Sequence, residues 1–285
     1  MDQQIINLFD EYTHKPLARD EFIRRLAKMT GSLAAAMAIL PMLEVNYASA
    51  ETVKKQDDRL ITENITYPGD GCTMKGYLAK PKENGKYAAI VVIHENRGLN
   101  PHIEDVTRRA ALAGYLALAP DALSPQGGTP ADEEKARDMF GQLDAAKNLN
   151  NFIKAFDYLK TRPDFNGKAG CVGFCWGGGI VNQLAVNVPN LKAAVAFYGR
   201  QPEAADVPKI KAAVQLHYGG LDERVNAGIP AYEDALKKAG IKYELYIYEG
   251  AQHAFHNDTA PTRYNEAAAK LAWQRTLKFF GDYVK

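Results

Sequence analysis

The stretch GFCWGG at residues 173–178 decides the fold, because it sets one cysteine among glycines. The segment before it, AGCVGF at 169–174, is short and apolar and is typical of a β-strand, whereas 179–185 has the pattern of a helix start. A tight strand-to-helix turn needs small flanking residues and raises its central side chain above the sheet. Cys175 is therefore predicted to occupy a nucleophile elbow, where the helix dipole favours thiolate. The alternative is a buried structural cysteine.

Strand and helix patterns alternate along the rest of the chain. The predicted strands are 60–67 and 74–79 (a hairpin), then 87–94, 115–119, 193–198, 213–218 and 243–248, and the predicted helices are 103–113, 131–161, 230–239 and 265–280. This alternation predicts an α/β fold with a mostly parallel central sheet covered by helices on both faces. We expect one such domain over residues 58–285, preceded by an N-terminal extension over 1–57.

Polar residues follow the carboxyl ends of three predicted strands. Cys175 comes first, Asp222 follows the strand at 213–218, and His253 follows the strand at 243–248. The order nucleophile, acid, histidine is that of the α/β-hydrolase fold. In that arrangement His253 moves the proton, and Asp222 holds the imidazole tautomer and stabilises its cationic form.

Neighbouring residues offer further roles and alternatives. The backbone N–H groups of Trp176 and Asn96 are the expected oxyanion donors. Glu223 is the rival carboxylate, and Asp222 could instead cap the segment that follows it. His256 competes with His253. Tyr198, at a strand end, could line a substrate pocket or belong to the core.

Composition excludes several classes of protein. The 285 residues carry 35 basic and 34 acidic side chains without a basic block, so nucleic acid is not an expected partner. The three cysteines form no C-x-x-C pair, and the spacing of His94, His217, His253 and His256 matches no zinc motif, so no metal is expected. No dinucleotide or P-loop fingerprint is present, and no cofactor is expected. The sequence carries no signal for an oligomeric state.

The N-terminal extension allows two interpretations. Arg24 and Arg25 precede an apolar run at 29–43, and the ASA at 48–50 resembles a signal-peptidase site, which together suggest a twin-arginine signal and a periplasmic protein. The long acidic leader and the interruptions at Pro41 and Glu44 favour instead a retained helical segment that packs on the domain of a cytoplasmic protein. The run of about 15 residues is too short for a membrane span.

Several motifs together resemble those of the dienelactone hydrolase family. They are GFCWGG at 173–178, GGLD at 219–222, GAQHAF at 250–255, HENRGLN at 94–100, APD at 119–121 and FYG at 197–199. The resemblance covers residues 58–283. It implies a catalytic triad of Cys175, His253 and Asp222 that transfers an acyl group through a thioester to water.

The resemblance also implies a role for Glu95. The matching glutamate of the family approaches the resting thiol and moves aside when substrate binds, so that thiolate forms only when it is needed. A neighbouring carboxylate disfavours a permanent thiolate and so protects it from oxidation. The alternative is that Glu95 forms a salt bridge with Arg97.

The substrate pocket departs from the family. Dienelactone hydrolases hold a substrate carboxylate with two arginines, at positions where this chain has SPQ at 124–126 and Asn257. Arg97 and Arg200 are new candidates for that contact. We therefore expect a cysteine-dependent hydrolase of a small carboxylic ester or lactone other than dienelactone. The alternative is a non-hydrolytic protein of the same fold that binds a ligand or senses redox state through Cys175.

Overall fold

A computed structural model describes residues 1–44 and 51–285. Its centre is one eight-stranded sheet whose strands all lie in the part of the chain expected to form the α/β domain. The strands are β1 (Leu60–Pro68), β2 (Thr73–Pro81), β3 (Tyr87–Ile93), β4 (Leu116–Pro120), β5 (Phe165–Phe174), β6 (Ala193–Phe197), β7 (Ala213–Gly219) and β8 (Tyr243–Tyr248).

The sheet is parallel except at one edge. Its strand order is β1-β2-β4-β3-β5-β6-β7-β8. β1 pairs with β2, and β2 with β4, in antiparallel fashion, whereas all pairs from β4 to β8 are parallel. The carboxyl ends of β3, β5, β6, β7 and β8 therefore meet at one edge of the sheet, where ligand sites form in such folds.

Helices cover both faces of the sheet. They are α4 (Pro101–Leu112), α5 (Glu133–Phe140), α6 (Ala145–Lys160), α7 (Trp176–Asn187), α8 (Glu223–Asn226), α9 (Ile229–Lys238) and α10 (Glu266–Tyr283). One face packs against α6, α7 and α9, the other against α4 and α10. β3 contributes side chains to the hydrophobic cores on both faces, because alternate residues of a strand point to opposite faces. The predicted α/β-hydrolase fold is confirmed.

The N-terminal extension is helical. It forms α1 (Gln3–His14), α2 (Arg19–Thr30) and α3 (Leu33–Leu43), and the apolar run at 29–43 is broken by the left-handed Gly31, which ends α2. A small core joins the three helices, with Tyr12 stacked on Phe22 at a ring distance of 4.3 Å. The possible cleavage site at 48–50 lies outside the described residues.

No single helix in the described ranges is long and apolar enough to cross a bilayer. Helices α2 and α3 reach that length and composition only as a pair, and they are bent by 111° at the break between them.

The turn from β5 to α7 depends on close backbone contacts. A Cβ on Gly177 would lie 2.4 Å from the carbonyl oxygen of Ile93 and 2.5 Å from that of His94. A Cβ on Gly173 would lie 2.3 Å from the carbonyl oxygen of Gly177. Only glycine allows α7 to approach the end of β3 this closely.

We expect Gly177→Ala to destabilise the protein by about 1–3 kcal/mol or more, since backbone must shift to admit the methyl group. Gly179→Ala is the matched control: its Cβ would meet nothing nearer than 3.7 Å. Alanine is also the better helix former there by about 0.5–1 kcal/mol. Urea unfolding of the two variants measures both effects, and equal stability would contradict the close-contact argument.

Candidate active site

Cys175 sits at a strained turn between β5 and α7. Its backbone has φ 55° and ψ −113°, a conformation that side-chain-bearing residues rarely adopt. Its N–H donates to the carbonyl oxygen of Phe197 over 3.0 Å, which ties the turn to the end of β6. The side chain is 6% exposed. This is the conformation expected of a nucleophile elbow.

Asp222 and His253 lie together in the loops that follow β7 and β8. Nδ1 of His253 is 2.5 Å from Oδ2 of Asp222, and both residues are buried. Oδ1 of Asp222 also accepts from the backbone N–H of Val225 over 3.3 Å, so this carboxylate caps α8 as well. Glu223 is exposed. His256 is buried away from the sulfur, with its ring stacked on Phe174. The sequence offers Asp222 or Glu223 as the acid and His253 or His256 as the histidine. Asp222 and His253 are the two that contact each other.

A second histidine, which the sequence did not suggest, contacts the sulfur. Nε2 of His14, in the last turn of α1, lies 3.1 Å from Sγ of Cys175. Nδ1 of His14 lies 3.0 Å from Oδ1 of Asp10 and 2.9 Å from the Asp10 carbonyl oxygen. The His14 and His253 rings are 4.6 Å apart. Nε2 of His253 is within 4.8 Å of the sulfur, yet it has no hydrogen-bond partner among the described residues.

The charges around the sulfur shift its ionisation. Burial by itself would raise the pKa of the Cys175 thiol, but the charges of His14 and His253 lower that pKa to about 6. Burial would lower the pKa of His253, but Cys175 and Asp222 raise it to about 10. The pKa of His14 is also raised, since Cys175 and Asp10 outweigh its burial. The site therefore favours a thiolate beside an imidazolium of His253 near neutral pH, and the same charges favour the protonated form of His14.

The two expected oxyanion donors lie beside the thiol. Trp176 opens α7, so its backbone N–H belongs to the first turn, where helix donors lack intrahelical partners. Asn96 lines both cavities at the thiol. Its side-chain amide donates to the Thr13 carbonyl oxygen over 2.7 Å and ties this loop to the extension.

Glu95 does not pair with Arg97. Its carboxylate accepts from the side-chain amide of Asn257 over 2.8 Å and from the Tyr198 hydroxyl over 3.4 Å. Arg97 instead lies 3.9 Å from Glu133. Asn257, which stands where the family has an arginine, thus holds the glutamate. Tyr198 is buried, and its ring packs 5.0 Å from that of His253.

Two cavities meet at the thiol. The smaller holds about 40 Å³ and is lined by Glu95, Arg97 and Asn257 together with α1 residues. The larger holds about 630 Å³ and is lined on one side by the extension from Thr13 to Leu17 and on the other by Trp176, Tyr198 and Arg200. Since about 40 Å³ admits only a few water molecules, the larger cavity is the one that can admit an organic substrate.

The two arginine candidates lie at different cavities. Arg97 borders the small cavity and is largely buried, and this burial lowers the pKa of its guanidinium. Arg200 is exposed at the larger cavity and forms no ion pair with any residue in ranges 1–44 and 51–285.

The histidines considered for a metal are dispersed. His94 accepts from the Ala122 N–H and packs on Trp176, whereas His217 bonds Tyr248. In the described part of the chain, His14, Cys175 and His253 do bring their ligating atoms within 4.8 Å of one another. Attraction to the thiolate accounts for that proximity: Nε2–H of His14 donates to the sulfur over 3.1 Å, and the His253 ring is held beside the same charge.

Comparison with known proteins defines the class first: this is a hydrolase acting on carboxylic esters or lactones. The family model described as "Dienelactone hydrolase family" matches residues 74–284. A Methylorubrum extorquens protein named "Putative carboxymethylenebutenolidase" is 31% identical over 286 residues, covering 94% of this chain and 96% of that protein. The chain belongs to the dienelactone hydrolase family.

Solved structures agree with that assignment. The crystal structure of a "Putative Dienelactone Hydrolase" from Klebsiella pneumoniae matches with a TM-score of 0.72 and 30% identity, covering 79% of this chain and 99% of that chain. The dienelactone hydrolase of Anabaena variabilis matches with a TM-score of 0.63 and 26% identity, covering 80% and 100%. Because the Methylorubrum alignment covers 94% of this chain, it includes part of the N-terminal extension.

We expect iodoacetamide to alkylate Cys175 with a rate that rises through pH 6 and levels off above pH 7, because the thiolate is the reactive form and the thiol pKa is about 6. Cys171 should stay unmodified, since burial raises its pKa. Mass spectrometry of the digested protein measures both, with Cys175→Ser as the control. A midpoint near the ordinary value of about 8.5 would contradict the proposed charge environment.

Proposed function

We propose that this protein hydrolyses a small carboxylic ester or lactone through a thioester on Cys175. The observation that carries the proposal is the buried contact of 2.5 Å between Asp222 and His253, beside a cysteine at a strained elbow. A merely structural cysteine requires neither the φ of 55° nor a carboxylate-oriented histidine.

The chemistry follows from the order of these groups. The Cys175 thiolate attacks the ester carbonyl, and the backbone N–H groups of Trp176 and Asn96 receive the developing oxyanion. The leaving alkoxide takes a proton from Nε2 of His253. Water then attacks the thioester, gives its proton to the neutral His253 and releases the thiolate. Asp222 orients the imidazole throughout.

Glu95 has a supporting role in this proposal. It lines the small cavity beside the thiol, where Asn257 and Tyr198 hold its carboxylate. With Glu95 held there, the sulfur is a thiolate governed by His14 and His253. Only a carboxylate that left Asn257 and approached the sulfur would favour the protonated thiol, which resists oxidation.

The substrate we propose is an ester other than dienelactone, bound in the larger cavity. The family's two substrate arginines are replaced by residues 124–126 and Asn257, and Asn257 is engaged with Glu95. Arg200 supplies a cation at the larger cavity. It suits an acidic group on the substrate, with Tyr198 contributing to the wall, while Arg97 faces the other cavity.

We expect Cys175→Ala to lose about 10³-fold or more of the turnover of p-nitrophenyl acetate and butyrate, since the thioester can no longer form. Wild type should turn over cis-dienelactone poorly. Circular dichroism of the variant serves as the folding control. Retained ester turnover in the folded variant would refute the nucleophile, and an absence of Cys175-dependent turnover would favour ligand binding or redox sensing.

We expect Arg200→Ala to raise KM by about two- to fivefold for an ester with a free carboxylate, such as a monoalkyl succinate, because one exposed ion pair with substrate is lost. KM for a neutral ester of equal length should change little. Arg97→Ala is the comparison variant, and it should not reproduce the charge-selective change. Equal effects of Arg200→Ala on both esters would exclude an anion contact.

A further inference from the structure

We propose that His14 is a second catalytic histidine, which the N-terminal extension supplies to hold the Cys175 sulfur while His253 serves the leaving group and water. The inference rests on the proposed role of Cys175 as nucleophile. It assigns a function to a segment that lies outside the α/β domain.

The first support is the hydrogen-bond geometry of the sulfur. Nε2 of His14 is 3.1 Å from Sγ of Cys175, within the range of a hydrogen bond to sulfur. Nε2 of His253 is buried but has no hydrogen-bond partner in the described ranges. His14 therefore makes the better-aligned contact with the nucleophile. His253 interacts with the sulfur as well, but its Nε2 makes no well-aligned hydrogen bond and can turn to an oxygen of substrate or water.

The second support is the way in which His14 is oriented. Its Nδ1 donates to the Asp10 carbonyl oxygen over 2.9 Å, beside the Thr13 hydroxyl at 2.9 Å, and lies 3.0 Å from the Asp10 carboxylate, which together direct Nε2 at the sulfur. The Asp10 carboxylate lies beside His14 as an ion pair, on the other side of Cys175 from the hydrogen-bonded pair Asp222–His253. The Asp10 carbonyl oxygen fixes the tautomer of His14, and the carboxylate stabilises its imidazolium form.

The third support is that the rest of the site anchors this part of α1. Nε of Arg224, in α8, lies 3.1 Å from Oδ2 of Asp10, and the Asn96 amide donates to the Thr13 carbonyl oxygen. The guanidinium of Arg137, in α5, lies over the Tyr12 ring at 4.4 Å. Contacts from three separate parts of the domain therefore hold the end of α1 at the nucleophile.

The charges form an alternating row. Negative and positive groups alternate along it, in the order Asp222 (anion), His253 (cation), Cys175 (anion), His14 (cation) and Asp10 (anion). Each imidazolium lies between two negative groups, and for His14 their attraction outweighs the repulsion of the His253 ring at 4.6 Å. The thiolate lies between two positive groups.

When His253 serves the leaving group and water and His14 serves the sulfur, the protons balance at each step of turnover. As the C–S bond forms and the C–O bond breaks, the alkoxide takes its proton from His253, and His14 keeps its own. Water then attacks the thioester and gives its proton to the neutral His253, and as the C–S bond breaks the electron pair returns to a sulfur that faces the His14 imidazolium. His14 therefore assists chiefly in deacylation, where sulfur is the leaving group.

The test compares His14→Gln with His253→Gln in p-nitrophenyl acetate hydrolysis, with EDTA present throughout. We expect His14→Gln to lower kcat by about 10- to 100-fold and to give a burst of one p-nitrophenol per enzyme, with acetyl-enzyme accumulating in quenched samples. With this ester His253→Gln should also stall as an acetyl-enzyme, because p-nitrophenolate leaves without a proton and water has lost its base. An alkyl ester such as ethyl acetate separates the two variants: His253→Gln should then fail in acylation and accumulate no acyl-enzyme, whereas His14→Gln should still accumulate it. Asp10→Asn should resemble a milder His14→Gln.

A second readout does not depend on turnover. In His14→Gln the pH midpoint for iodoacetamide alkylation of Cys175 should rise, and the rate at pH 7 should fall about tenfold. The other charged or titratable groups around the row, unchanged in this variant, are His253, Asp222, Glu95, Tyr198 and Arg224.

Matched variants separate the possible failures. Asn7→Ala, on the exposed side of α1, should leave kcat and the alkylation profile unchanged. Imidazole added to His14→Ala should restore part of the activity, which a folding defect would not allow. Unchanged kinetics and alkylation in His14→Gln, with Cys175→Ala inactive, would overturn this inference alone. A faster His14→Gln would also overturn it, since His14 would then be an obstruction.

Discussion

The strained turn at Cys175 is the constraint on which the remaining site depends. Its backbone conformation is held by close packing of glycine backbone against the ends of β3 and β6. That packing raises the thiol above the sheet, to the level of the loops that carry Asp222 and His253. Without it, the sulfur would lie in the sheet's core, as Cys171 does, where burial raises the thiol pKa. Position in the turn therefore decides which cysteine can react.

Most of the α/β domain could be predicted from sequence because its periodicities are local. The buried run of β3 and the hairpin of β1 and β2 are patterns within single elements, and each strand was placed within a few residues. The order of Cys175, Asp222 and His253 along the chain then locates them at one sheet edge, since parallel strands end together.

The contribution of α1 could not be predicted in this way. Asp10 and His14 are spaced by four residues, an ordinary pair on a helix surface, and nothing local says that the surface meets Cys175 more than 160 residues away. The contact between Glu95 and Asn257 is equally remote in sequence. The resemblance to the family singles out Asn257, but the partner of its side-chain amide depends on the three-dimensional arrangement.

The contact between α1 and the sulfur links the chemical state of the nucleophile to the attachment of the extension. A thiolate attracts the His14 imidazolium, whereas the neutral sulfur of a thioester or an alkylated cysteine attracts it less. Linkage is reciprocal, so whatever strengthens the docking of α1 also favours the thiolate, and whatever consumes the thiolate loosens α1. Protection of α1 amides from hydrogen exchange would thus report, from the surface of the molecule, whether the Cys175 sulfur is charged or covalently modified.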